Sequence, residues 1–196
     1  MKKILFSTLL VLAAPFAWAF SAAELTQTLQ KPAHVQGAFT QQRFLKSLDK
    51  PMTTQGRFVL VPKQGLLWHM HKPFENRLRV RADGIRQWNG SQWTADAKAA
   101  KQNRQIQLFL DLLGGNTAGL EQQFTLEARG TAQNWTLELT PKTAVMRQIF
   151  NRIELQGDSL VRRIELAERQ GDRTVIQFKD LSTSQPLDAF AKQALY

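Results

Sequence analysis

Apolar and polar positions change period along this chain, and the changes divide it. An apolar run from Ile4 to Phe16 comes first. Ser21-Ala22-Ala23-Glu24 then precedes Leu25 and Leu29, and the serine with a glutamate three residues on predicts a short capped helix that Pro32 ends. From Val35 the chain reads as short runs punctuated by turn chemistry at Lys63-Gln64-Gly65, Asp83-Gly84, Asn89-Gly90, Gly157-Asp158 and Gly171-Asp172. The pattern predicts strands over 35–46, 53–61, 66–71, 77–82, 85–88, 123–129, 134–140, 149–156, 160–168 and 173–180. Almost all the connections are too short for parallel crossovers, so the sheet is expected to be antiparallel.

Two helical segments interrupt this meander. Over 105–113, Ile106, Phe109, Leu110 and Leu113 share one face while Leu108 and Leu112 make the opposite side apolar too. Gly114-Gly115 offers a left-handed cap there, before a second short helical turn over 117–122. A helix apolar nearly all round needs partners on two sides: it is either buried in the domain, or it lies across a sheet with one side facing something that comes and goes.

Period-2 alternation sorts the strand faces. Phe58 and Leu60 project one way and Val59 and Val61 the other, so both faces of that strand need cover. Leu66, Trp68 and Met70 share a face opposite Leu67, His69 and His71, and Leu78 and Val80 point inward where Arg77, Arg79 and Arg81 point out. Trp88, Trp93 and Trp135 add broad aromatic surface. Such a curved apolar face suits either an ordinary core or an apolar ligand, and periodicity does not separate the two.

Composition narrows the classes. The chain has 196 residues, 43% of them apolar, with 26 Lys plus Arg against 16 Asp plus Glu. It has no cysteine, which excludes thiol nucleophiles, cysteine-based zinc or iron–sulfur sites and a lipid-modified N-terminal cysteine. Lys2 and Lys3, the apolar run and Ala17-Trp18-Ala19 read as a secretory signal over 1–19, leaving one domain over 20–196 with a basic balance. The expected home is the periplasm of a Gram-negative bacterium, with the mature chain soluble and monomeric. Export makes nucleic acid an unsuitable partner, whereas an anionic leaflet, lipid phosphates or an acidic protein suit the charge.

Candidate chemistry is sparse. His69 and His71 sit two apart on one strand face, but no third ligand joins them in sequence, so no metal site is assigned. No Gly-x-Ser-x-Gly elbow appears, and His34 near Ser47 forms no supported pair. Glu154, Glu165 and Glu168 alternate with arginines as solvated cross-strand pairs do. No catalytic residue, cofactor or phosphate loop is assigned, and the chain is not read as an enzyme.

Gly37-Ala38-Phe39-Thr40-Gln41, Gly56-Arg57-Phe58-Val59-Leu60, Leu66-Leu67-Trp68-His69-Met70, Pro73 and Asp83-Gly84 follow one another in the order and spacing of the LolA-like outer-membrane lipoprotein carriers, which this chain resembles. Leu137-Glu138-Leu139-Thr140-Pro141-Lys142, Ile153, Ile164 and Gln177-Phe178 are similar to the family's later strands, so the resemblance spans most of 22–181. It implies a mainly β fold: an unclosed antiparallel half-barrel with a helical lid around an apolar cavity that shields acyl chains. Carried onto this sequence, the cavity is expected to be lined by Phe39, Phe58, Leu60, Leu66, Trp68 and Met70, by Leu78, Val80 and Trp88, by Phe109 and Leu113 of the lid, and by Leu126, Met146 and Ile149. The implied partners are an acylated lipoprotein or lipid cargo, an inner-membrane release complex or exporter, an outer-membrane acceptor, and transient contact with a membrane surface.

Three departures mark a divergent member. Where the family has an Arg-Pro pair whose arginine latches the lid, Pro62-Lys63 stands here, and lysine lacks the planar fork of arginine. The chain ends at Tyr196 without the family's aromatic-Pro-Gly-Val strand, and the stripe of Arg77, Arg79 and Arg81 is denser than the family pattern, which suggests a docking surface for a leaflet or an acidic partner. A carrier of glycolipid, or of an acyl or polyene product for a dedicated exporter, is the alternative cargo reading. A periplasmic sensing or interaction module is the alternative of a different class.

Overall fold

Ser21 opens the first helix through the reciprocal bonds that its spacing to Glu24 allows. In the computed structural model, which describes residues 21–81, 83–95 and 103–196 with the backbone alone at 103–107, 109 and 117, Glu24 N donates to Ser21 Oγ (3.2 Å) and Ser21 N donates to Glu24 Oε2 (2.8 Å). Two N–H groups at the helix start are thus satisfied, and α1 (Ala22–Leu29) buries Leu25 and Leu29. The secretory-signal reading of 1–19 lies outside the described residues.

The strands follow the turn signals closely. They are β1 (Val35–Phe44), β2 (Met52–Val61), β3 (Gly65–Lys72), β4 (Asn76–Arg81), β5 (Gly84–Trp88), β6 (Trp93–Ala95), β7 (Phe124–Thr131), β8 (Asn134–Pro141), β9 (Phe150–Gly157), β10 (Val161–Glu168) and β11 (Arg173–Ser182). All the pairings are antiparallel, in the order β6-β5-β4-β3-β2-β1-β11-β10-β9-β8-β7, so the first and last long strands meet at the centre. β6 and β7 form the two edges and do not pair with each other, which leaves the barrel unclosed.

The chain passes from one edge to the other through α2 (Asn103–Gly114) and α3 (Thr117–Glu121). Gly115 takes φ +65°, the left-handed cap expected from the glycine pair, and its carbonyl accepts from Gln30 Nε2 (3.0 Å) just after α1. A β-carbon on Gly115 would come within 2.7 Å of Leu29 Cβ, so the end of α2 is pressed onto α1. Asn116 caps α3 by accepting from Gly119 N (3.3 Å) and donates from Nδ2 to the buried Asp111 (3.0 Å).

Two helices and one strand were not foreseen. α4 (Ala144–Ile149) starts where Thr143 Oγ1 accepts from Met146 N (3.3 Å), and α5 (Ala189–Leu195) starts where Asp188 accepts from Ala191 N (2.6 Å). The three residues of β6 are too few to show a period.

Both faces of the sheet are apolar, as β2 required, and each has its own cover. The main core joins Phe39, Phe58, Leu60, Trp68 and Val80 with Ile153, Ile164 and Phe178 and is closed by residues of α1, α2 and α3. A second cluster on the other face joins Val61 and Leu67 to Leu187, Ala191, Ala194 and Leu195 of the C-terminal segment. The stretch after β11 therefore supplies a helix for the outer face.

Phe39 stacks on Trp68 with ring centroids 3.7 Å apart and planes 23° from parallel, and Phe178 meets Phe58 edge-on at 5.1 Å. The stack forms because Phe39 lies opposite Gly56 on β2, which has no side chain to hold the ring away. A β-carbon on Gly56 would lie 2.1 Å from His69 O and 2.8 Å from the Phe39 ring, and neither backbone nor packed ring yields cheaply. We expect Gly56→Ala to cost about 1–3 kcal/mol of stability as overpacking does, read as a lowered thermal midpoint by circular dichroism. Gly114→Ala, where a β-carbon meets nothing within 4 Å, should be neutral or stabilising; equal losses in the two variants would refute the steric account.

Candidate functional site

Inward residues of distant strands meet in one cleft beneath α2. Its volume is about 260 Å³, and it is lined by Leu66 and Trp68 of β3, Leu78 and Val80 of β4, Leu108 and Leu112 of α2, and Phe150, Leu166 and Ile176 of β9, β10 and β11. β4 and β9 are six strand spacings apart in the sheet order, roughly 29 Å on a flat sheet. One small cleft touching both means that the sheet curls strongly around it.

The cleft is polar at one end. Gln41 and Arg43 of β1, Glu168 of β10 and Thr174 of β11 complete its lining. Arg43 sits between Glu168 (3.5 Å) and Asp172 (3.6 Å), one cation shared by two carboxylates. The cleft thus has apolar walls along the barrel and hydrogen-bonding groups at one end. No pair of nucleophile and base lies among the lining residues, and the described residues hold no group of three or more His, Asp or Glu placed to bind a metal.

A second cavity, about 430 Å³, lies at the other end, between the β2–β3 turn and the end of α2. Leu60, Pro62, Lys63 and Gly65 line it on one side and Leu110, Asp111, Gly114 and Asn116 on the other. Gln64 N donates to Val61 O (3.0 Å) across a turn with Pro62 first and Lys63 at φ +66°, the pattern of a type II turn. Pro62 and Lys63, expected from the resemblance to stand where the family latches its lid, therefore lie across this cavity from the end of α2.

The expected cavity residues separate into groups. Leu66, Trp68, Leu78 and Val80 line the cleft, and Leu60 lines the second cavity. Phe39, Phe58, Leu113 and Met146 are buried in the core, with Met70, Leu126 and Ile149 packed against it. On α2 the cleft-facing residues are Leu108 and Leu112 rather than Leu113, and the side chain of Phe109 lies outside the described residues. Trp88 is on the wrong face: Ile85 of the same strand enters the main core, and three residues on Trp88 meets Trp93 at 5.3 Å and Phe190 of α5 at 5.4 Å. Gln41, Arg43, Leu166, Thr174 and Ile176 were missed, although stepping by two from Phe39, Ile164 and Phe178 reaches all of them.

The arginine stripe is not a free basic surface. The Arg77 guanidinium lies 5.1 Å over the Phe190 ring and Arg79 lies 5.3 Å over Trp93, while Arg81 Nη1 reaches Ala194 O (3.4 Å) near the end of α5. Arg77 also binds Glu75 (2.9 Å) and Arg79 binds Asp83 (3.0 Å). The three side chains form the seat of α5, which argues against their meeting a leaflet or partner. His69 joins the same face, accepting from Arg77 Nε (3.1 Å) with its ring 4.0 Å from that of His71.

Two measurements test this face. Phe190→Ala removes the ring shared by Arg77, Trp88 and Trp93, and should lower stability by about 2–4 kcal/mol with a red shift of tryptophan emission; unchanged emission would mean that α5 does not seat there. His69 is held below its ordinary value chiefly by burial, then by His71 and Arg77, with Glu75 opposing. The unfolded chain then takes up this proton first, so the His69 contribution is complete above about pH 6.5 and is lost as pH falls through the lower folded value. His69→Gln should flatten that slope in denaturant titrations at graded pH; an unchanged slope would contradict the assignment.

Comparison with known proteins bears on the whole chain. The family model described as outer membrane lipoprotein carrier protein LolA matches residues 30–191. No curated protein sequence matches at a significant level. Among solved structures, MucB in complex with MucA(peri) superposes with TM-score 0.52 at 14% identity, over 89% of this chain and 60% of that one, so this chain spans less than two thirds of MucB. A LolA superfamily protein from Nitrosomonas europaea covers 91% of this chain and 98% of its own at 9% identity, TM-score 0.48. Lipoprotein LppX from Mycobacterium tuberculosis covers 85% and 95% at 12% identity, TM-score 0.42.

Proposed function

This chain belongs to the LolA family of outer membrane lipoprotein carrier proteins, and from that premise we propose that it is a periplasmic carrier whose cleft shields the acyl chain of a lipoprotein or lipid in transit between membranes. The observation that carries the reading is the cleft itself: nine apolar side chains from two sides of a curled sheet and from α2 converge on about 260 Å³ that the protein does not fill. Each methylene withdrawn from water is worth about 0.8 kcal/mol, so a long acyl chain gains on the order of 10 kcal/mol from such a site. No reacting group is needed for that work, and none lines the cleft.

Release is the harder half of a carrier's task. A site that recovers the whole hydration penalty also retains its cargo unless a second state binds less well. α2 is the element placed to make that difference, because it forms one wall of the cleft through Leu108 and Leu112 and ends against the β2–β3 turn. The cleft is also smaller than the roughly 300–1,000 Å³ of common ligand pockets. Cargo with more than one chain therefore requires α2 to move outward.

No helix among the described residues is long and apolar enough to cross a membrane, which suits a carrier that leaves one. Two experiments test the reading. Leu78→Asp, at a half-buried position, places a charge in the cleft and should weaken uptake of a fluorescent fatty-acyl probe about tenfold or more, with the folded spectrum retained; uptake at the parent level would overturn the cleft as the site. The chain has no native cysteine, so Lys63→Cys with Gly114→Cys, bridged by a short bis-maleimide, ties the turn to α2. The bridged protein should load the probe far more slowly than the same variant unbridged, and equal loading would remove α2 as the lid.

A further inference from the structure

Large apolar side chains exposed among the described residues are Leu48, Met52, Phe74, Val145 and Tyr196. Scattered singly they would need no explanation. The strand order gathers all but Tyr196 at one rim. Leu48 lies in the β1–β2 connection and Met52 begins β2, Phe74 lies between β3 and β4 with 81% of its surface exposed, and Val145 is on α4 between β8 and β9. In an antiparallel sheet of this order these connections share an end with the β10–β11 turn. That is also the end at which Arg43, Glu168 and Thr174 line the cleft.

Charge at this rim is one-sided. Lys46, Lys50, Lys72, Lys142, Arg147 and Arg169 are exposed there, and none of them enters an ion pair among the described residues. Of the rim's carboxylates, Glu75 is paired with Arg77, and Glu168 and Asp172 share Arg43, so one charge of that pair together with Asp49 and Glu121 stands against six cations. Protruding apolar side chains ringed by uncompensated lysine and arginine match the chemistry of an anionic lipid interface, where the rings and aliphatic chains enter the acyl boundary and the cations meet phosphates.

We propose that this rim docks on the anionic leaflet of a lipid bilayer, with Leu48, Met52 and Phe74 entering the interface and the polar mouth of the cleft held against the membrane. The use of the docking rests on the carrier reading, because it sets the mouth where an acyl chain would enter or leave; the docking itself does not. It also moves the membrane-facing surface from the arginine stripe, which α5 covers, to the end of the barrel.

Co-sedimentation of the mature chain with phosphatidylcholine vesicles, with and without about a third phosphatidylglycerol, tests it. We expect at least tenfold stronger partitioning onto the anionic vesicles, weakening as salt is raised. Phe74→Ser combined with Leu48→Ser should lower it about tenfold, and Lys46→Gln with Lys50→Gln and Lys72→Gln should remove most of the preference for anionic lipid. Neither set touches the core, so uptake of the soluble acyl probe should be unchanged in both. Equal weak partitioning on the two vesicles, or variants that partition like the parent, would overturn the proposal and leave the rim to a protein partner. Loss of probe uptake in the parent would instead sink the carrier reading without touching the docking.

Discussion

An eleven-strand antiparallel sheet with apolar side chains on both faces has to be covered on both faces, and that requirement organises this molecule. Val59, Val61 and Leu67 leave the outer face as apolar as Phe58, Leu60 and Trp68 make the inner one. The outer face is covered by a short C-terminal helix capped by Asp188 at its start and seated on the Arg77, Arg79 and Trp93 cluster along its length. The inner face is covered by α2, which lies on the connection between the two unpaired edges and leaves a cleft beneath it. The two covers differ in degree: α5 and the segment before it leave a cavity of about 170 Å³ against Val59 and Leu67, whereas α2 spans the larger cleft of about 260 Å³ walled by nine apolar side chains.

That difference is what makes the inner face a place for a ligand. Curling brings β4 and β9 to one cleft, and the Phe39–Trp68 stack over Gly56 fills the interior beside it, so the open volume is confined to a narrow apolar slot. A slot of this size fits part of one acyl chain while α2 stays seated. The left-handed Lys63 turn faces the Gly115-capped end of α2 across the second cavity, at the opposite end from the polar Arg43 side of the cleft. The fold is shared with MucB, solved in complex with MucA(peri). On the carrier reading proposed for this chain, the apolar lining of the cleft suits an acyl chain.

The fold was legible because turn chemistry and period-2 alternation recur with little interruption. Ser21–Glu24, Gly115 and ten strands follow from residues visible in the sequence. What escaped had no period to show: β6 has three residues, α4 has six, and α5 lies in a segment whose small apolar residues, Ala189, Ala191 and Ala194, carry little signal until something to pack against is known. The site was half legible for the same reason. Leu66, Trp68, Leu78 and Val80 announced their face by alternation, while Trp88 was placed inside for its size when its register put it outside. The arginine stripe shows the limit of reading charge locally: the alternation put Arg77, Arg79 and Arg81 outside, and nothing in their spacing revealed that a helix more than a hundred residues later would lie on them.

The central claim is that the cleft under α2 holds an acyl chain. Native mass spectrometry of the mature protein, expressed into a bacterial periplasm, purified without detergent and then extracted with organic solvent, tests it most directly. The account predicts an acylated polypeptide or a lipid bound one to one and released on extraction, with occupancy much reduced in Leu78→Asp. A protein that leaves the periplasm empty and takes up no fatty-acyl probe afterwards would contradict it.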